Sequence, residues 1–166
     1  MADTEHVNRL SRALAKLEPL PAALRKHALS LIMGRLVRFV GTAGLDIEEL
    51  TPARAIVAVR SRAKVHNHIS GVHAGAMALI AETATGFLVA MNTPDTVVPV
   101  IKSMHIEFVQ RATGSLRAVA ELSEEQRHLI RTTPKGDVIP KIIVTDDAGK
   151  EPIRCTMVWA WTPKRK

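Results

Sequence analysis

The run from Gly71 to about Met91 constrains this chain more than any other segment. Ala74, Ala76, Ala78, Ala81, Ala84 and Ala90 spread around its helical circumference, and one carboxylate, Glu82, interrupts it. A helix apolar on every side is expected to be buried on every side, and small side chains let a sheet come close. A charge left unpaired in such surroundings is expensive, so Glu82 requires an explanation. Upstream, Asn67 and His73 complete the pattern Asn-x5-His-x8-Glu, across the junction where a basic, strand-like run becomes the helix. The amide, the imidazole and the unfilled N–H groups of the first turn supply hydrogen bonds and positive potential. Those are the parts needed to polarise a carbonyl and activate water.

At 166 residues the chain has the length of one domain with a real core, read as an N-terminal helical segment, 1–44, and a main domain, 45–166. A content of 46% apolar and 23% charged residues excludes a disordered or fibrous chain. The single cysteine, Cys155, lies in an apolar alternation and reads as core, so no internal disulfide or Cys-rich metal framework exists. His66 and His68 share a strand face but lack the further ligands zinc requires, and no metal or resident cofactor is expected. Neither a Gly-rich phosphate loop nor a Gly-x-Ser-x-Gly elbow is present.

The net charge of +7 suggests an anionic partner. Three Phe, two Trp and no Tyr leave few stacking platforms, so nucleic acid is not expected. Arg60, Arg62, Lys64 and Lys102 could instead meet the phosphates of a small ligand. Met1 to Arg9 is polar and carries acids, so no signal peptide is read and the cytoplasm is the expected compartment. His73, Glu82 and the late Thr and Gly residues argue against a membrane span.

Along the chain, Thr4 to Leu17 reads as an amphipathic helix ended by Pro19 and Pro21. Ala22 to Val40 reads as a second helix with Leu24, Ala28, Leu31, Ile32, Leu36 and Phe39 on one face, edged by Arg25, Lys26, Arg35 and Arg38. That face suits packing on the domain, with a membrane surface or an acyl-pocket lid as alternatives. Gly41 to Pro52 reads as a connection and Ala53 to Val65 as a strand. After the central helix come strands over Val97–Gln110, Ser115–Leu122, Val138–Thr145 and Glu151–Thr162, in meander order. Ser123 to Gly136 is a charged loop or short helical turn, and Asp146-Asp147-Ala148-Gly149 a hairpin turn. The expected class is α+β, with one long helix wrapped by an antiparallel sheet.

That order, with His73-Ala74-Gly75-Ala76 opening the helix and Glu82 within it, resembles the hotdog fold over roughly Leu45 to Pro163. More narrowly it is similar to the thioesterase-like branch that includes phenylacetate-pathway thioesterases and uncharacterised, DUF4442-like relatives. The resemblance implies a site at a dimer interface, built from an Asn, a His-Gly or His-Ala-Gly step and an Asp or Glu. Ala74 stands where better-studied enzymes often carry glycine, and Glu82 where many carry aspartate.

Helix geometry leads to the same assembly. His73 and Glu82, nine residues apart, differ by about 900° and roughly 13 Å on a helix, too far to grip one reacting atom. A two-fold axis would bring Glu82 of one subunit to the helix start of the other, which predicts an obligatory dimer, or a dimer of dimers, with composite sites. The expected ligand is an acyl thioester of coenzyme A, as substrate. The backbone N–H of Ala74, with Gly75, would polarise its carbonyl, and Glu82 would act as base or nucleophile. Asn67 would hold the water or carbonyl, and His73 would fix the helix start. The alternatives left open are a structural Glu82 paired with Arg60 or Lys102, Asn67 as a simple turn residue, and a non-catalytic acyl-ligand binder.

Overall fold

The computed structural model describes residues 8–164. Three helices come first: α1 (Arg9–Ala15), α2 (Ala22–Leu36) and α3 (Arg38–Ala43). Strands β1 (Asp46–Leu50) and β2 (Arg54–Val59) lead through a 3-10 turn to the long helix α4 (Ala74–Asn92). Then follow β3 (Val97–Phe108), β4 (Leu116–Glu121), α5 (Glu124–Thr132), β5 (Gly136–Val138), β6 (Lys141–Asp146) and β7 (Ile153–Pro163).

Small residues decide how α4 sits. Ala81 and Ala84 on the helix, with Ala55, Ala118 and Ala120 on β2 and β4, have no exposed surface, so helix and sheet pack closely. At Gly86 an added Cβ would lie 2.5 Å from the Trp159 ring, which is why glycine is needed there. Trp159 is then satisfied as its Nε1 donates to Thr85 Oγ1 at 2.9 Å. By length and composition α4 is apolar enough to cross a bilayer; 61% of its most apolar stretch is buried in this fold, as befits a core helix.

The α+β class and the central helix stand, but the meander does not. The strands form two antiparallel groups, β1-β2-β4-β6 and β3-β7-β5. β3 pairs with β7 from Val97↔Pro163 to Phe108↔Ile153, not with β4, which follows it in sequence. The expected strand Val138–Thr145 is two pieces in different groups, broken beside Pro140, which has no N–H to give a ladder. Gly41–Pro52 contains a strand, β1, whose acids hide the alternation around buried Ile47. The expected strand Ala53–Val65 ends at Val59, and Ser123–Gly136 holds α5, opened by a Ser123–Gln126 capping box.

The N-terminal segment also departs from its pattern. Residues 1–7, including Val7 of the first expected helix, lie outside the described residues. Asn8 Oδ1 accepts from Ser11 N, capping α1, while its Nδ2 donates to the carbonyls of Ala90, Met91 and Thr93 at the end of α4. The single helix Ala22–Val40 is two, bent at Val37, because α2 and α3 approach through glycines. A Cβ at Gly41 would fall 2.6 Å from the Gly34 carbonyl oxygen. Leu29, Met33 and Val40 are buried, while Leu24, Leu31, Leu36 and Phe39 of the expected packing face are exposed.

Candidate functional site

The chain between β2 and α4 folds back on itself before the helix begins. Asn67 N donates to Gly71 O at 2.8 Å, and His66 and Val72 form an antiparallel bridge. Inside this loop Asn67 Oδ1 accepts from Ile69 N at 3.0 Å and Gly71 N at 3.1 Å. Two N–H donors fix which end of the amide is oxygen, so Asn67 Nδ2 is left as a donor with no described partner. Asn67 is therefore a turn residue that retains a spare N–H pair. Ser70, at φ 59°, holds the left-handed conformation that closes the loop, a strained position for a residue with a Cβ.

His73, not Gly71, starts the helix, as its N-cap. Its Nδ1 accepts from Gly75 N at 2.9 Å, so a neutral ring carries its proton on Nε2. This consumes the Gly75 N–H and leaves the Ala74 N–H as the unfilled donor at the positive end of α4. Ala74 and Asn67 line one cleft of about 480 Å³, walled by Ile69, Val72, Met77 and Phe108. Met77, Phe108 and the strained Ser70 join the site beyond the sequence pattern: the Asn-x3-Gly loop spacing is the one signal for Ser70, and nothing local marks Phe108.

Glu82 lies outside that cleft, about 12 Å along the axis from Ala74. The expectation that α4 is buried all round holds only from Thr83 onward, and there with Ala90 half-buried. Gly75, Ala78, Leu79 and Glu82, which share a helical face, are exposed or half-buried. Burial pushes the Glu82 carboxyl above its ordinary 4.5, and the adjacent Thr83 side chain pulls weakly the other way. Geometry makes that neighbour a poor one, since Thr83 Oγ1 is buried with no hydrogen-bond partner. Among the described residues no cation pairs with Glu82. Arg60 is held by Asp46 at 2.8 Å and Lys102 by Asp137, so the two counter-charges considered for it are engaged elsewhere.

The other basic candidates are also occupied. Arg62 Nη2 donates to Gly44 O and Lys64 Nζ to Thr42 O at 2.8 Å, so both cap the carboxyl end of α3. His66 Nε2 bonds the Ser61 hydroxyl at 2.9 Å. Among the described residues no three His, Cys, Asp or Glu side chains converge as metal ligands would. Cys155 is half-buried, and burial pushes its thiol up to about 11.

Beside this site, β3 is an outer strand of its group. Pairing places Met104, Ile106 and Phe108 on the same face as Met157, Cys155 and Ile153, which point toward the helix. Yet Met104 is 51% and Phe108 55% exposed, while Met157 is fully buried. An apolar inner edge thus runs uncovered next to the half-exposed face of α4.

A long helix wrapped by antiparallel strands is the hotdog arrangement of thioesterase-like proteins. The chain belongs to the DUF4442 family, described as a domain of unknown function, whose model matches residues 25–161. Among solved structures it is similar to a Pseudomonas aeruginosa protein of unknown function described as a probable thioesterase, at 25% identity and TM-score 0.73. That match covers 87% of this chain and 97% of the other. A Haemophilus influenzae thioesterase is 12% identical at TM-score 0.62, over 75% of this chain and 82% of its own. A mutant Staphylococcus aureus thioesterase is 19% identical at TM-score 0.62, over 76% of this chain and all of its own. These last two likenesses concern the fold alone. No curated protein matches the chain.

Proposed function

We propose that the protein hydrolyses an acyl thioester of coenzyme A or a similar carrier, at two composite sites of a homodimer. The observation that carries this reading is Glu82: a carboxyl raised by burial, without a described cation, on the uncovered face of α4. A purely structural acid would be expected to have a partner. In the dimer, the uncovered edge of β3 and the open face of α4 would meet their two-fold copies, bringing Glu82 of one subunit to the cleft of the other.

The thioester carbonyl would lie against the Ala74 N–H, where a fixed donor stabilises developing negative charge by about 2.7–4 kcal/mol. Asn67 Nδ2 would add a second donor to the carbonyl or orient the water. His73 is a positioning residue, holding the first turn through Gly75 N. Glu82 then either removes a proton from water as it attacks the carbonyl carbon, or attacks directly and is released by water. In both routes the C–S bond breaks, and the thiolate leaves and takes up a proton. The cleft's apolar wall fits an acyl group.

Glu82→Gln is expected to keep the assembly and lower kcat across an acyl-CoA panel by about 10²–10⁴. Unchanged turnover would refute the catalytic role. The second reading, a binder of acyl ligands without turnover, draws on the loss of the Gly75 N–H to His73, which leaves one oxyanion donor on the helix. It would show as acyl-CoA retained in native mass spectra with no hydrolysis by the wild type.

A further inference from the structure

Between Glu18 and Asp46 the sequence has no acidic residue, yet it carries Arg25, Lys26, Arg35 and Arg38. Among the described residues none of these four side chains takes part in an ion pair or hydrogen bond, whereas Arg54, Arg60, Lys102 and Arg117 all have acidic partners. Where α2 bends into α3 the same segment exposes Leu31 by 46%, Leu36 by 63% and Phe39 by 64%, next to Arg35 and Arg38. Water-facing apolar side chains in this number need a partner.

We propose that this α2–α3 tip docks on an anionic lipid surface. The chemistry is that of an interfacial helix: apolar side chains enter the acyl boundary while neighbouring guanidinium groups meet lipid phosphates. A second copy of the chain fits less well, because it would bring Arg35 and Arg38 against their own like charges. The tip is also built rigidly. Close Gly34–Gly41 contact sets the bend, and Arg62 and Lys64 hold the carbonyls that end α3, so little ordering is needed on docking. α2 packs on β1, an outer strand of the group that lacks β3, so pairing through β3 leaves the tip uncovered.

Co-sedimentation of the full-length protein with vesicles tests this directly. The wild type is expected to pellet with phosphatidylcholine–phosphatidylglycerol vesicles, to stay in solution with phosphatidylcholine alone, and to be released by high salt. Leu36→Ser/Phe39→Ser should abolish pelleting, and Arg35→Gln and Arg38→Gln should each weaken it about fivefold. The Gln variants alter no described bond, so they decide the matter should the Ser variant fail to fold. The proposal is overturned if the wild type ignores anionic vesicles or the Gln variants bind as the wild type does. It is equally overturned if Leu36→Ser/Phe39→Ser lowers the mass seen by light scattering, which would mean that another copy covers the tip.

Discussion

Glu82 lies between buried Ala81 and Thr83, and ionising it there costs the fold stability. Its folded carboxyl holds a proton more tightly than the unfolded one, whose ordinary value is 4.5. Stability therefore falls as pH rises from that value through the higher folded one, and the full penalty applies above it. Thermal melts should show Glu82→Gln raising the midpoint at about pH 8, with the gain gone at about pH 4. A variant less stable than wild type at both would mean that the carboxylate has a partner. Asn67 offers a cleaner cut, because Oδ1 serves the loop and Nδ2 is spare. Asn67→Asp keeps the acceptor for Ile69 and Gly71 N–H, removes the Nδ2 donor and sets a negative charge where the oxyanion would form, so both changes oppose turnover. Steady-state kinetics should then show kcat down by about 10²–10³ with KM little changed.

The elements most visible in the sequence were those whose partners are close in the chain or whose pattern is long. The central helix and β7 were legible on these grounds, whereas the expected hairpin at Asp146–Gly149 is a turn whose flanking strands β6 and β7 lie in different groups and do not pair. What failed was pairing, since β3 skips its neighbour β4 for β7 at the far end of the chain, and periodicity carries no such information. The helix face of Leu24, Leu31 and Leu36 is legible as apolar but is not the face that packs on the domain, because apolar residues lie on both sides of α2 and Leu29 and Met33 are the buried ones. Asn67, His73, Ala74 and Gly75 were legible as a group since one loop and one helix turn hold them. Asn8 was not, as its role depends on carbonyls more than eighty residues away. Replacing it with Ala removes a cap and leaves buried carbonyls of α4 unmet, at a cost of about 2 kcal/mol. Calorimetry should register a midpoint lower by about 4–8 °C; an unchanged midpoint would show that α1 contributes nothing to holding α4.

At the scale of the whole molecule, the uncovered inner edge of β3 and the open amino-terminal half of α4 give the proposed chemistry its geometry. About 12 Å separates the Ala74 amide from Glu82 within one chain, so one subunit offers an oxyanion donor without a base and a base without a donor. Two inactive proteins can therefore rebuild one active site, provided that the base comes from the partner. Glu82→Gln and Asn67→Asp should each be inactive alone. Unfolded together and refolded, half of the dimers should be mixed, each with one doubly altered and one intact site, restoring about a quarter of wild-type turnover. If native mass spectrometry shows mixed dimers while hydrolysis stays at the level of the single variants, the sites are not shared between subunits and the account fails.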